Sequence, residues 1–287
     1  MRSFVAMQSG WPLPEGIKTV EVNGYPIAYC ESGSGIPLIL VHGSLNDYRY
    51  WNSEIGVFAE QYRVIAVSLR HYFPEPWDGH GDDFSILQHA DDLAEFTKKL
   101  DLGSVHLLGH SRGGAVALNV AARQPEVVRT LILVDTSGLE ALLPDTPEAR
   151  ALSAETQRMV DRLAVDLAKG DREAALRTYV EAVAGPGRWE LMRPDWKQIL
   201  FDNAATAIRP EERASLSCEA IRKFQFPVLP LTGEQSPKRY GEMARAIRRC
   251  ASENVREPIV IPNASHAMNR NNPQAFNRAV LGFLSGR

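Results

Sequence analysis

The 287-residue sequence is poor in cysteine, has no long apolar run and carries almost no net charge. Each lack removes a class of protein. The three cysteines, Cys30, Cys218 and Cys250, lie far apart with no Cys-x-x-Cys pair. That argues against a disulfide framework or a zinc site and suits a reducing compartment. A net charge of −3 offers no basic surface to nucleic acid or anionic lipid. No stretch approaches the roughly 20 apolar residues that span a bilayer. Residues 1–16 carry one Arg and are broken by Pro12 and Pro14 before any apolar run develops, so the h-region of a secretory signal is missing. The expectation is a cytoplasmic protein with no membrane, nucleic-acid or metal partner.

What is present is ordinary for a globular chain, with 44% hydrophobic and 23% charged residues, and the length suits one large α/β domain or a core with an insertion. Short runs rich in Val, Ile and Leu occupy residues 38–41, 63–67, 105–108 and 130–134, then 228–231 and 258–261. Such runs read as strands buried on both faces of a parallel sheet. An earlier pair, 18–22 and 25–30, is joined at Asn23-Gly24, the favoured two-residue hairpin turn. Helical patterns fill 85–100, 113–123, 238–250 and 273–284, the last led by Pro273, a good first helical residue.

Between residues 135 and 226 the strand pattern stops. Residues 148–168, 172–184 and 195–207 look helical, separated by Gly170, Gly185-Pro186-Gly187 and Pro194. Such a segment is too long for an ordinary loop. The expected organisation is an α/β core at 1–137 and 218–287, with a helical cap at 138–217 over a mostly parallel eight-stranded sheet that carries helices on both faces; the alternative for the inserted segment is surface helices unrelated to any site.

One motif carries chemistry. Val105-His106-Leu107-Leu108 runs directly into Gly109-His110-Ser111-Arg112-Gly113-Gly114, and a helix-forming stretch follows. A Gly-x-Ser-x-Gly string alone is weak evidence; strand before and helix after make it specific. A serine on so sharp a turn is held in a strained backbone conformation, and its neighbours two away must be small. The turn lifts the hydroxyl above the sheet and sets it at a helix N-terminus, which favours developing negative charge.

With these features the chain resembles the α/β-hydrolase superfamily over nearly its whole length. His42-Gly43 after the strand at 38–41 is similar to that family's oxyanion loop. The resemblance implies Ser111 as nucleophile, with an oxyanion hole from the backbone N–H groups of Arg112 and of Ser44, Leu45 being the alternative to Ser44. His42 then shapes the loop rather than acting as a base. It also implies His266 as general base, since His266 stands in the loop between the last strand and the final helix. His71, His80 and His89 have no comparable case, and His106 and His110 are expected to pack or face solvent.

The acid is where the chain departs from the pattern. The family commonly places Asp three residues after a Gly that ends the penultimate strand; here Gly233-Glu234-Gln235-Ser236 puts Ser236 there. A serine cannot stabilise an imidazolium as a carboxylate does. Glu234, in the same loop and one methylene longer, is the first substitute. Asp135, at the end of the strand at 130–134, is the alternative. A second departure is the loop Ser68-Leu69-Arg70-His71-Tyr72-Phe73-Pro74-Glu75-Pro76-Trp77, which reads either as a stiff pocket wall or as a rigid surface loop. Tyr50 and Trp51 are expected beneath the site.

The resemblance implies covalent acyl transfer without cofactor or metal, on a small to medium apolar ester, lactone or thioester. Position 111 is Ser, which argues against the relatives that use an aspartate nucleophile. Two alternatives stay open: a carbon–carbon bond hydrolase of ring-cleavage type, and a ligand receptor on the same fold that does not turn over.

Overall fold

The structure, a computed structural model, describes residues 11–207, 216–251 and 253–286. Residues 1–10, on which most of the leader reading rests, and 208–215, within the expected cap, lie outside the described residues. In chain order the elements are β1 (Lys18–Val22), β2 (Tyr25–Ser32), β3 (Pro37–Val41), α1 (Asn52–Phe58), β4 (Arg63–Val67), α2 (Ile86–Lys99), β5 (Val105–His110), α3 (Arg112–Arg123) and β6 (Val128–Val134). There follow α4 (Pro147–Ala168), α5 (Arg172–Ala184), α6 (Pro194–Asp202), α7 (Cys218–Arg222), β7 (Val228–Gly233), α8 (Lys238–Cys250), β8 (Ile259–Ile261), α9 (Met268–Asn271) and α10 (Pro273–Leu284).

Eight strands form one sheet in the order β1-β2-β4-β3-β5-β6-β7-β8. The β1–β2 and β2–β4 pairs are antiparallel and the rest parallel. Asn23 and Gly24 turn the hairpin with φ of 50° and 73°, as a tight two-residue turn requires. The unbroken apolar runs have a simple cause. Along β3, Ile39 and Val41 pack on one face with α2 and α3, while Leu38 and Leu40 pack on the other with Trp51, Phe58 and Phe276. Because side chains alternate across a strand, a sheet covered on both faces has no solvent face to mark in the sequence.

Helix starts follow local chemistry. Ser85 accepts from Gln88 N–H ahead of α2, Thr146 from Ala149 N–H ahead of α4, and Asn272 from Ala275 N–H ahead of α10. Each such cap is worth about 1 kcal/mol. Pro147 and Pro273 open their helices. The helix expected at 195–207 divides in two, because α6 ends at Asp202 and a 3-10 turn takes over at Ala204–Ala207.

One expectation fails. Cys218 and Cys250 form a disulfide with a Cα separation of 4.9 Å, joining α7 to the last residue of α8. A separation of 32 residues gave no sign that two helices would bring these thiols together, and the pairing removes the ground on which the cysteines pointed to a reducing compartment. Cys30 alone is a free thiol among the described residues, and burial pushes its pKa up to about 11.

Helices α4 to α6 build their own apolar cluster from Leu163, Leu167, Leu176, Val180, Trp189 and Leu200, into which Leu45 of the loop after β3 inserts. A polar latch ties the same segment to the core. Asp47, fully buried, receives Arg49 and the amide of Asn203, and Arg49 also pairs with Asp202. Among the described residues no helix is long and apolar enough to cross a membrane.

Candidate active site

Ser111 sits between β5 and α3 with φ 52° and ψ −121°, a region that L-residues avoid at a cost of about 1–3 kcal/mol. Its own N–H donates to Val134 O at 2.8 Å, and its carbonyl accepts from Gly114 N–H at 2.9 Å, so β6 and the first turn of α3 hold the strained residue in place. The glycines of the motif are there for space. A Cβ on Gly109 would overlap the Gly113 carbonyl, and one on Gly113 would overlap the His42 carbonyl. A Cβ on Gly43 would stand 2.9 Å from the Ser111 Cβ, so the loop after β3 reaches Ser111 only because residue 43 is bare.

That loop is fixed from behind. His42 donates from Nδ1 to the Gly43 carbonyl at 2.8 Å and accepts the Leu69 N–H on Nε2 at 3.0 Å. Burial pushes its pKa down to about 4, so it stays neutral and acts as a strut. Asn46 N–H closes the turn onto Gly43 O, and Leu45 adopts φ 59° with its side chain buried in the helical segment. Ser44 and Arg112 line the cleft beside Ser111. The Arg112 side chain turns away toward His89 Nδ1 at 3.3 Å and over the ring of Phe84.

The structure brings His266 and Asp135 together and leaves Glu234 apart. His266 Nδ1 lies 3.2 Å from Asp135 Oδ2. The same oxygen accepts the hydroxyl of Ser236 at 2.6 Å, so the residue at the family's usual acid position supports a carboxylate that comes from the neighbouring strand. Glu234, expected first, is exposed and accepts the Asn263 N–H on Oε2 at 2.8 Å. Its backbone N–H is bound to Ile261 O, which fixes it at the rim, where it caps the turn after β8 instead of meeting the imidazole.

Sequence reasoning missed the groups that hold His266. Tyr240 of α8 stacks on its ring, with centroids 4.4 Å apart and planes at 17°. His110 donates from Nε2 to the His266 carbonyl at 2.9 Å, and burial keeps it neutral, with its pKa well below the ordinary value. Behind it Tyr50 stacks on His110 and donates to Asn269 Oδ1 at 2.8 Å, and Asn269 in turn donates to Glu54. Tyr50 and Trp51 thus pack beneath the site as expected. No local motif marks Tyr240 or Glu54.

Two clefts meet at Ser44, Ser111 and Tyr179. One, of about 680 Å³, runs past Tyr72, Phe84, Met159 and Arg239. The other, of about 490 Å³, runs past His266, Val183, Met192 and Arg270. Tyr72 makes the loop after β4 a pocket wall, one of the two roles expected of it. No group of three or more His, Cys, Asp or Glu side chains that could hold a metal ion occurs among the described residues.

Comparison with known proteins agrees with this architecture. Residues 38–279 match the model of the alpha/beta hydrolase family. The chain is 27% identical to the dihydrolipoyllysine-residue acetyltransferase component of the acetoin cleaving system of Pseudomonas putida, over 97% of this chain and 71% of that one. It is 24% identical to the (E)-2-((N-methylformamido)methylene)succinate hydrolase of Acinetobacter baylyi, over 93% and 97%. Among solved structures, the carboxylesterase CesB of Bacillus subtilis superposes with a TM-score of 0.74 at 20% identity, over 96% and 94% of the two chains.

Proposed function

The chain belongs to the alpha/beta hydrolase family and is a hydrolase, and from that premise we propose that it is a serine hydrolase of small to medium carboxylic esters, lactones or thioesters, with Ser111, His266 and Asp135 as its triad. The observation that carries this reading is the pairing of His266 Nδ1 with the buried carboxylate of Asp135 at 3.2 Å, at the rim of the cleft that Ser111 enters from its strained turn.

In this mechanism Asp135 holds the Nδ1–H tautomer, leaving Nε2 to take the Ser111 proton. Ser111 Oγ attacks the carbonyl carbon, and the backbone N–H groups of Arg112 and Ser44 receive the oxyanion, a contribution of about 3 kcal/mol per donor in such sites. The imidazolium is stabilised by Asp135 and returns its proton to the leaving group; water then resolves the acyl-enzyme by the same relay run with water as nucleophile. Residues 138–217 act as a cap. Helices α4 and α5 supply Met159, Leu163, Val180 and Val183 to the cleft walls, which suits an enclosed, largely apolar substrate.

Labelling with a fluorophosphonate probe tests the nucleophile. The native chain should react at Ser111 and Ser111→Ala should not. A folded native protein that stays unlabelled refutes the assignment. Running 4-nitrophenyl butyrate beside a ring-fission diketone separates ester from carbon–carbon chemistry.

A further inference from the structure

The charged side chains lining the two clefts are Arg112, Arg239 and Arg270; no Asp or Glu lines either. Two of these arginines are occupied by the protein. Arg112 reaches His89, and Arg239 donates to the Ala182 carbonyl at 3.0 Å and faces Glu155 at 3.7 Å. Arg270 is different. Its guanidinium makes no hydrogen bond or ion pair among the described residues, and its Nη2 is sealed from solvent without an acceptor. Glu54, Asp195 and Asp47 attract it only from beyond ion-pair distance.

A largely desolvated cation without a partner is costly, yet this one is held firmly. The rings of Tyr50 and Trp196 stand 4.4 Å and 4.5 Å from its central carbon. With rings against the group and Nη2 sealed, the other guanidinium N–H groups are what remain to meet a ligand, and such a cationic donor suits an oxygen of a carboxylate. Arg270 lies four residues past His266 and lines the same cleft as Ser111, among Val180, Val183, Met192 and Leu200. Arg270 also borders a third cleft with Arg49, Asp195 and Trp196; on the Ser111 side a single guanidinium among apolar side chains suits a monoanion on an apolar chain.

We infer that Arg270 binds a carboxylate carried by the substrate, so that the preferred substrates are acyl compounds bearing one free acid group on an apolar chain. The inference rests on the serine-hydrolase reading for the reaction, though not for the binding. In the Michaelis complex the carboxylate accepts from Arg270 while the scissile carbonyl stands at Ser111, and the cation sets specificity through KM.

The test compares 4-nitrophenyl monoesters of glutaric and adipic acid with their methyl-capped neutral diesters. The native enzyme should favour an acid-bearing ester by at least about tenfold in kcat/KM, since charge-assisted hydrogen bonds are the strong ones. In Arg270→Gln that preference ratio should fall about ten- to a hundredfold, mainly through KM, and Arg270→Lys should recover part of it. A binding arm needs no turnover: Ser111→Ala protein, titrated calorimetrically with monomethyl adipate and dimethyl adipate, should bind the anion more tightly and lose that advantage when Arg270→Gln is added. An unchanged ratio in Arg270→Gln, or equal binding of the two adipates, overturns the inference. If neither ester is cleaved while Arg270-dependent binding of the anion persists, the hydrolase mechanism at Ser111 fails and the carboxylate site stands.

Discussion

Glu54 of α1 is fully buried; its Oε2 accepts from the Asn269 amide at 3.0 Å, and Oε1 is buried without a partner. Burial pushes its pKa from 4.5 up to about 7, the Asn269 hydrogen bond opposing that rise only in part. The sign of the effect on stability follows directly. Between pH 4.5 and about 7 the folded state holds a proton that the unfolded state has released, so stability falls as pH rises through this window. At about 1.4 kcal/mol per pH unit, the loss integrates to about 3 kcal/mol. Glu54→Gln copies the protonated acid and cannot ionise, so it should leave stability nearly unchanged at pH 4.5 and raise it by about 3 kcal/mol at pH 8.

Urea unfolding of both proteins at pH 4.5, 6 and 8 reads the effect as a difference. That choice matters because other buried groups titrate in the same range. His42 and His106, each held near 4 by burial, bind protons more weakly when folded and so destabilise the fold as pH falls below 6.5, the opposite direction. Their contributions are common to both proteins and cancel. A difference that stays within about 1 kcal/mol from pH 4.5 to 8 refutes the argument that burial sets the proton affinity of Glu54.

Three further outcomes follow from the site. Asp135→Asn should lower kcat by about 10³–10⁴-fold, as loss of a triad carboxylate does, whereas Glu234→Gln should stay within about threefold; similar losses in steady-state assays of the two variants would sink the assignment of Asp135. Ser236→Ala removes one hydrogen bond to Asp135 and should reduce kcat by about tenfold while shifting the acidic limb of the pH–rate profile upward, because the carboxylate loses a donor that stabilises its charge; an unmoved limb would count against that support. Because Ser111 holds φ 52°, Ser111→Gly should unfold about 2 °C above Ser111→Ala in a calorimetric scan, and equal midpoints would mean that the turn stores no strain.

The parts of this molecule legible in the sequence are those whose cause is local. The strand at 105–110, the glycines around Ser111 and the helix behind it form one contiguous stretch, and each residue type is required by something within a few positions of it. The acid is different in kind. His266 and Asp135 are 131 residues apart, and which carboxylate meets the imidazole depends on how β6 and β7 lie side by side. Reach along the chain favoured Glu234, but reach is not the deciding quantity. The Glu234 backbone is bound to Ile261 and its carboxylate caps Asn263, whose φ of 53° leaves an N–H to satisfy at the rim. Asp135, by contrast, ends a strand whose register with β7 aligns Val134 with Leu231, two residues before Gly233. That alignment sets Ser236 across from Asp135, close enough to donate to it at 2.6 Å. The serine at that position is therefore a clue to the proposed acid: a hydroxyl there is useful when a carboxylate stands on the next strand.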